Sequence, residues 1–306
     1  MTDDGTHPGG GWFEEVAPDD AAAGAARIRE GRADAPADWP AQAVASGFAD
    51  SEDEYYDALR DASLRAAREE AAERERADDQ QLVHAVRAMD DAAAEANELA
   101  ERVAEWAGSR YPDAGTGVKY ARELAERDPE SPTDERLISL ARRVADLADE
   151  GDELREFIER ETPEVAPNLA ALAGPVLAAR LISLAGGLEP LAKKPSGTVQ
   201  VLGAEDSLFA HLRGHAPSPK HGVIFTHEFV RGTRPDKRGS AARTLAGKLT
   251  IAARIDHYSG DRKPELDDEL QRRMDQIRGR GDESGGDGSA GNESGGDEGG
   301  NEEGEA

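Results

Sequence analysis

Cations and glycines are gathered in one stretch of the chain, residues 203–258, which reads GAEDSLFAHLRGHAPSPKHGVIFTHEFVRGTRPDKRGSAARTLAGKLTIAARIDHY. Six of the seven lysines (193, 194, 220, 237, 248 and 263) and five of the seven histidines (211, 215, 221, 227 and 257) lie in or beside it. Between Lys193 and Lys263 there are 13 basic residues against 6 acidic ones, in a protein of formal net charge -27. An acidic chain that concentrates its lysine this way points to a polyanionic partner. Lys220 and His221 follow a Pro-Ser-Pro turn, and Arg231, Lys237 and Arg238 alternate with Gly232 and Gly239. Glycine permits close backbone approach, while arginine and lysine supply phosphate contacts. Arg243 and Lys248 are expected to share a helix face, with Arg254 adding charge further along and Leu245, Leu249, Ile251 and Ile255 on the buried side. For any one of these cations, a solvated basic helix is the alternative reading.

Other chemistries find less support. Gly115-Thr116-Gly117-Val118-Lys119 lacks the full phosphate-loop pattern and a preceding strand, so it reads as a turn. Histidines 211, 215, 221 and 227 have no acid or thiol spaced to complete a zinc site. There is no GxSxG, no HExxH and no Ser/His/Asp arrangement, so no catalytic residue, metal or cofactor of this chain's own is expected. The absence of cysteine excludes disulfides and thiolate chemistry. The first residues, MTDDGTHPGGGWFEE, carry neither a basic nor an apolar region of a signal peptide, and no apolar run approaches the ~18 residues of a membrane span. A cytoplasmic protein with no membrane partner is the expectation.

Acids outnumber bases 64 to 37, and 30 of those bases are arginine. This composition suits a cytosol with molar salt, where the Debye length is only about 3 Å. A halophilic source is therefore expected.

The elements that must position the basic stretch are helical. Residues 80–109 carry a heptad stripe at Leu82, Val86, Met89, Ala93, Ala96, Leu99, Val103 and Trp106. A second striped helix starts after Ser131, an N-cap followed by Pro132 and Asp134, and runs through Leu137, Leu140, Val144, Leu147, Gly151, Leu154 and Ile158. Joined by residues 110–130, the two predict an antiparallel hairpin whose narrow stripes call for a further helical partner. An ordinary bundle core is the other reading of the same periodicity. Residues 167–192 are apolar, broken at Gly174-Pro175 and ended at Gly186-Gly187, with Leu181, Ile182, Leu184 and Leu188 in the core. Residues 198–202 form an extended or helix-entry segment. Short helices at 206–213 and 238–257 alternate with loops at 214–222 and 231–237. The aromatics Trp12, Phe13, Trp39 and Phe48 suggest short docking elements rather than a large core. Residues 282–306, with nine acids, nine glycines and no base, read as a disordered tail.

Several ordered motifs carry a resemblance. Pro167–Leu172, Ala178-Ala179-Arg180-Leu181-Ile182, Ala185-Gly186-Gly187-Leu188, Gln200-Val201-Leu202-Gly203-Ala204-Glu205, Ser218-Pro219-Lys220-His221-Gly222, Lys237-Arg238-Gly239 and Ile251–Asp256 closely resemble the Nop domain of the archaeal core protein of box C/D guide-RNA ribonucleoproteins. The helix end Glu105–Pro112 resembles that family's first coiled-coil helix. The likeness covers about residues 80–260.

The resemblance implies a mainly α, non-catalytic scaffold. A shortened N-terminal, fibrillarin-binding region would occupy residues 1–75. A dimerising coiled-coil hairpin would occupy 76–162, through Leu82, Val86, Met89, Leu99, Val103, Leu140, Val144, Leu147 and Leu154. An all-helical RNA-binding Nop domain would occupy 163–262, and the acidic, Gly-rich tail 263–306. The implied partners are a box C/D guide RNA, a kink-turn-binding ribosomal-type protein, the methyltransferase fibrillarin, which would itself bind S-adenosylmethionine, and a second copy of the chain. The implied RNA contacts are Gly203, Ala204, Glu205, Lys220, His221, Arg231, Lys237, Arg238, Gly239, Arg243, Lys248 and Arg254. Asp206 departs from the lysine that the family usually has after Gly-Ala-Glu. The N-terminal region is also shorter than the family's. Either a trimmed unit persists around Trp12, Phe48, Tyr55 and Tyr56, or the fibrillarin contact has moved. A scaffold resembling splicing Nop proteins, without a methyltransferase partner, is the alternative.

Overall fold

Helix-forming residues dominate, and among the described residues no strand forms. The computed structural model describes residues 11–31 and 37–279. The acidic tail expected at 282–306 lies outside them. Backbone contacts divide the chain into two units, residues 1–84 and 85–306.

The first unit contains α1 (Ala21–Glu30), α2 (Trp39–Ser46) and α3 (Glu52–Arg76). Each starts at a side-chain cap. Asp20 accepts from the amides of Ala22 and Ala23, Asp38 from Ala41, and Ser51 from Glu54. Such caps satisfy helix-start donors that have no partner within the helix. Gly47, at φ 78°, ends α2 in the left-handed region that suits glycine. The aromatics form one core here, not separate docking elements. Phe13, Phe48 and Tyr55 are buried, with Trp12 and Trp39 packed on them. The indole N–H of Trp12 donates to the Tyr55 hydroxyl at 3.2 Å. Tyr56 packs edge-on against Tyr55, centroids 5.3 Å apart, and is 54% exposed.

α4 (Asp78–Gly108), α5 (Gly117–Ala125) and α6 (Pro132–Val165) follow. Ser131 caps α6 as expected, accepting the Asp134 amide at 3.2 Å. Ala100, Val103 and Ala107 of α4 pack with Leu137, Ile138, Ala141 and Val144 of α6. Ala85, Val86 and Met89 pack with Ile158 near the other end of α6. That pairing makes the hairpin antiparallel. The connection is not a plain loop: Tyr120, Ala121 and Leu124 of α5 fill the side of the hairpin. The buried stripe rotates accordingly. Leu99, Leu140, Leu147 and Leu154 are half-buried, whereas Ala93 and Trp106 of the expected stripe are exposed.

Asp134 ties the hairpin's tip. Its carboxylate accepts from the Arg110 guanidinium at 3.0 Å and the Tyr111 hydroxyl at 3.1 Å. Hydrogen bonds from Ser131 and Arg110 hold its carboxyl below the usual carboxylate range.

The remaining helices are α7 (Pro167–Ala173), α8 (Pro175–Ala185), α9 (Leu188–Lys193), α10 (Ser196–Val201), α11 (Glu205–Leu212), α12 (Glu228–Arg231), α13 (Arg238–Tyr258) and α14 (Glu265–Gly279), with a 3-10 turn at Val223–Thr226. Gly174, at φ 78°, separates α7 from α8, and Gly186, at φ 88°, stops α8. α13 is the central post. Its Leu245, Leu249, Ala252 and Ala253 are buried, and α7, α9, α10 and α14 contact it. Three assignments change. Residues 198–202 are mostly helix α10. Leu184 and Ile251 lie at the surface, 43% and 41% exposed. Residues 265–279, expected as tail, form α14, because Leu266, Leu270 and Met274 recur every four residues and are buried. Among the described residues, no single helix is long and apolar enough to cross a membrane.

Candidate nucleic-acid interface

Two backbone hydrogen bonds create the centre of the basic region. The amide of Gly222 donates to Gln200 O, and that of Val223 to Leu202 O, each at 2.8 Å. The Gln200 side-chain amide donates to Lys220 O at 2.7 Å. The turn after α10 is thereby stitched to the loop before the 3-10 turn, although 20 residues separate them. Both glycines are required. A Cβ on Gly222 would lie 2.0 Å from Leu202 O, and Gly203 has φ 80°. The Glu205 carboxylate accepts the Gly203 amide at 2.8 Å, so it holds its own turn closed. Ala204 precedes α11, and Asp206 lies in that helix's first turn.

The stitched loop carries an aromatic platform. The His221 ring stacks on Phe225, centroids 4.5 Å apart at 19°. The Arg238 guanidinium lies over the same Phe225 ring at 5.5 Å. Arg238 also donates to Thr233 O at 3.0 Å and to Arg231 O at 3.4 Å. Its plane is thus fixed, while its charge meets no carboxylate among the described residues. Burial pushes the His221 imidazole below the ordinary histidine value, and Arg238 and Lys220 push it the same way. Lys220 and Arg231 are exposed and Lys237 is half-buried at the start of α13.

The structure thus brings Gly203–Glu205, Lys220, His221, Arg231, Lys237 and Arg238 to one region. Gly239 lies in the first turn of α13 with open space where a Cβ would be. Arg243 is exposed further along that helix. One expected contact belongs elsewhere. Lys248 is buried and ion-paired with Glu269 of α14, so it is no free phosphate ligand. It sits five residues from Arg243, a spacing that puts the two on different faces. Arg254 is exposed and donates from Nε to Ala192 O at 3.0 Å, beside the end of α9.

Sequence reasoning missed Phe225 and Phe229, aromatics interleaved among the cations. It also left His227 unassigned. Its Nδ1 accepts the Phe229 amide at 3.1 Å, so the 3.1 Å contact from Nε2 to Leu172 O is a donated hydrogen bond. That pattern requires the neutral ring, and burial favours it further. Among the described residues, no group of three His, Asp or Glu side chains is placed to hold a metal.

A helical hairpin followed by an all-helical unit with a glycine-stitched basic face defines the class of the chain. The family model described as Nop, snoRNA binding domain, fibrillarin, matches residues 118–277. An uncharacterized NOP5 family protein of Methanocaldococcus jannaschii is 46% identical over 142 residues, covering 46% of this chain and 34% of that protein. Nucleolar protein 58 of Schizosaccharomyces pombe is 32% identical over 218 residues, covering 59% and 43%. Nucleolar protein 56 of Saccharomyces cerevisiae is 36% identical over 159 residues, covering 52% and 31%. The chain therefore spans less than half the length of these relatives. A crystal structure of a fibrillarin/Nop5p complex overlaps with a TM-score of 0.49 at 26% identity, over 83% of this chain and 92% of that one. The chain belongs to the Nop family.

Proposed function

We propose that this protein is a non-catalytic scaffold of a box C/D-type guide-RNA ribonucleoprotein. The observation that carries the reading is the face just described. In a chain of net charge -27, Lys220, Arg231, Lys237 and Arg238 surround a rigid turn and make no ion pair among the described residues. Cations left unpaired in so acidic a protein are suited to phosphates. In molar salt, counterion release drives binding only weakly, so shape and stacking must carry much of the affinity. The His221–Phe225 stack supplies a pre-ordered surface for that.

A protein partner beside the RNA fits α11. This helix buries none of its residues and exposes Phe209 and Leu212. A kink-turn-binding protein already seated on the RNA is the proposed occupant. Half-buried Leu140, Leu147 and Leu154, at heptad spacing on α6, support pairing of two copies through the hairpin. The aromatic N-terminal unit is the proposed seat of fibrillarin, which would bring S-adenosylmethionine. The scaffold's contribution is then positional: it sets the reach from RNA motif to methyltransferase.

One observation favours a scaffold without the methyltransferase. The family match begins at residue 118, after the aromatic unit. Co-purification separates the readings: fibrillarin retained by the full chain and lost on Phe48→Ala supports the first, and no fibrillarin on the wild type supports the second. Gel shift with a box C/D guide RNA, with and without the kink-turn protein, tests the RNA role common to both.

A further inference from the structure

The charges of α14 divide along its length. Glu265, Asp267, Asp268 and Glu269 fill its first half, and Arg272, Arg273 and Arg278 outnumber the single acid, Asp275, in its second. Cations from neighbouring segments neutralise two of those acids: Arg262 pairs with Asp267, and Lys248 with Glu269. Among the described residues Arg272, Arg273 and Arg278 make no close ion pair, although Arg272 and Arg273 lie near enough to Glu269, itself paired with Lys248, to help lower its carboxyl pKa. Arg272 and Arg273 line an open groove of about 550 Å³ between α13 and α14 with Thr244, Gln276, Ile277 and Glu269, whose carboxylate is paired with Lys248.

Arg278 anchors the other side of the helix. Its guanidinium lies over Phe229 at 5.5 Å, and Phe229 packs on His227 with centroids 4.9 Å apart. Arg278 also comes within 3.7 Å of the space above Gly232, next to the exposed Arg231. The end of α14 is thus held against the turn that carries Arg231. In the first 200 residues most described arginines have a carboxylate partner, for example Arg29, Arg110, Arg122 and Arg180. Three arginines without one on a single short helix break that pattern.

We propose that α14 is a second contact for RNA backbone, in which Arg272 and Arg273 bind phosphate in the α13–α14 groove. Thr244 and Gln276 supply uncharged donors beside them, suited to phosphate oxygens rather than to base edges. The contact is sequence-independent and extends the phosphate track beyond the Arg231 turn. It rests on the RNA-binding reading above.

The test is a salt titration of binding to a box C/D guide RNA loaded with the kink-turn protein, using the full chain and R272Q/R273Q. Thermal melting of both proteins establishes that the variant is folded, because neither arginine is buried. The variant should bind about tenfold more weakly. The slope of log affinity against log salt should fall in magnitude by roughly one to two. Wild-type affinity and slope in a folded variant, while Arg238→Glu still loses binding, would overturn the α14 contact and leave the RNA reading intact. Failure of the wild-type chain to bind the loaded RNA would overturn both.

Discussion

The carboxylate of Asp256, near the end of α13, accepts the amide of Leu169, at the start of α7, at 2.8 Å across 87 residues of sequence. Its other oxygen accepts both the backbone and the side-chain amide of Asn168, at 3.0 and 2.6 Å. Asn168 in turn accepts the Lys263 amide at 2.6 Å. One buried acid thus caps α7, and Asn168 links that cap to the segment leading into α14. Asp256→Ala strands buried donors, each costing about 1–3 kcal/mol when unsatisfied. Stability to urea at fixed salt should fall by at least ~2 kcal/mol. An unchanged unfolding midpoint contradicts the capping role.

Gly222 is where a methyl group meets backbone. Gly222→Ala places Cβ in contact with Leu202 O, which no rotamer change relieves. The stitch between Gly222 and Gln200 must open. The expected cost is about 1–3 kcal/mol, with loss of RNA binding because Lys220 and His221 are no longer held beside the Gly203 turn. A folded variant that binds as wild type argues against the stitch as the organiser of the face.

His227 is neutral in the folded protein, and burial lowers its pKa. Above the ordinary value of about 6.5 both folded and unfolded states carry it neutral, and its stabilising bonds are fully present. Below that value the unfolded chain takes up a proton that the folded one resists, so stability falls with pH until the folded pKa is passed. Urea midpoints for wild type and His227→Asn should therefore diverge least at the acid end and most above pH 7. A difference independent of pH rejects the neutral-ring assignment.

Lys248 and Arg238 lie on the same helix and are expected to separate cleanly. Lys248→Met removes one partner of an ion pair with Glu269 and should lower stability while leaving the affinity of the folded protein for RNA within about twofold. Arg238→Glu should weaken assembly on kink-turn RNA without unfolding the protein. Melting curves and gel shifts on both variants decide it, and equal loss of binding in the two would restore Lys248 to the interface.

Much of this organisation is legible in the sequence. Local signals suffice where one residue type has one conformational use: Ser131-Pro132 opens α6, Gly174-Pro175 parts α7 from α8, and Gly186 stops α8. The glycine and cation spacing locates the face around Lys220 and Arg238. What escapes depends on distant partners. Lys248 looks like any basic residue until Glu269, 21 positions later, folds back on it. Leu266, Leu270 and Met274 sit in a polar stretch that passes for tail until α13 offers them a surface. The rotation of the hairpin stripe away from Ala93 and Trp106 reflects α5, whose packing no heptad count within α4 reveals. The aromatic core of the first unit likewise draws Phe13, Phe48 and Tyr55 from separate segments.

The most direct test of the scaffold reading is a gel shift in about 1 M KCl with a box C/D guide RNA, run with and without the kink-turn protein. The account predicts a supershifted complex only when the RNA carries that protein, because the face pairs unneutralised cations with the exposed Phe209 and Leu212 of α11 and needs both surfaces. No shift under either condition would contradict it, and equal binding to bare RNA would show that the cations alone, and not a composite RNA–protein surface, set recognition.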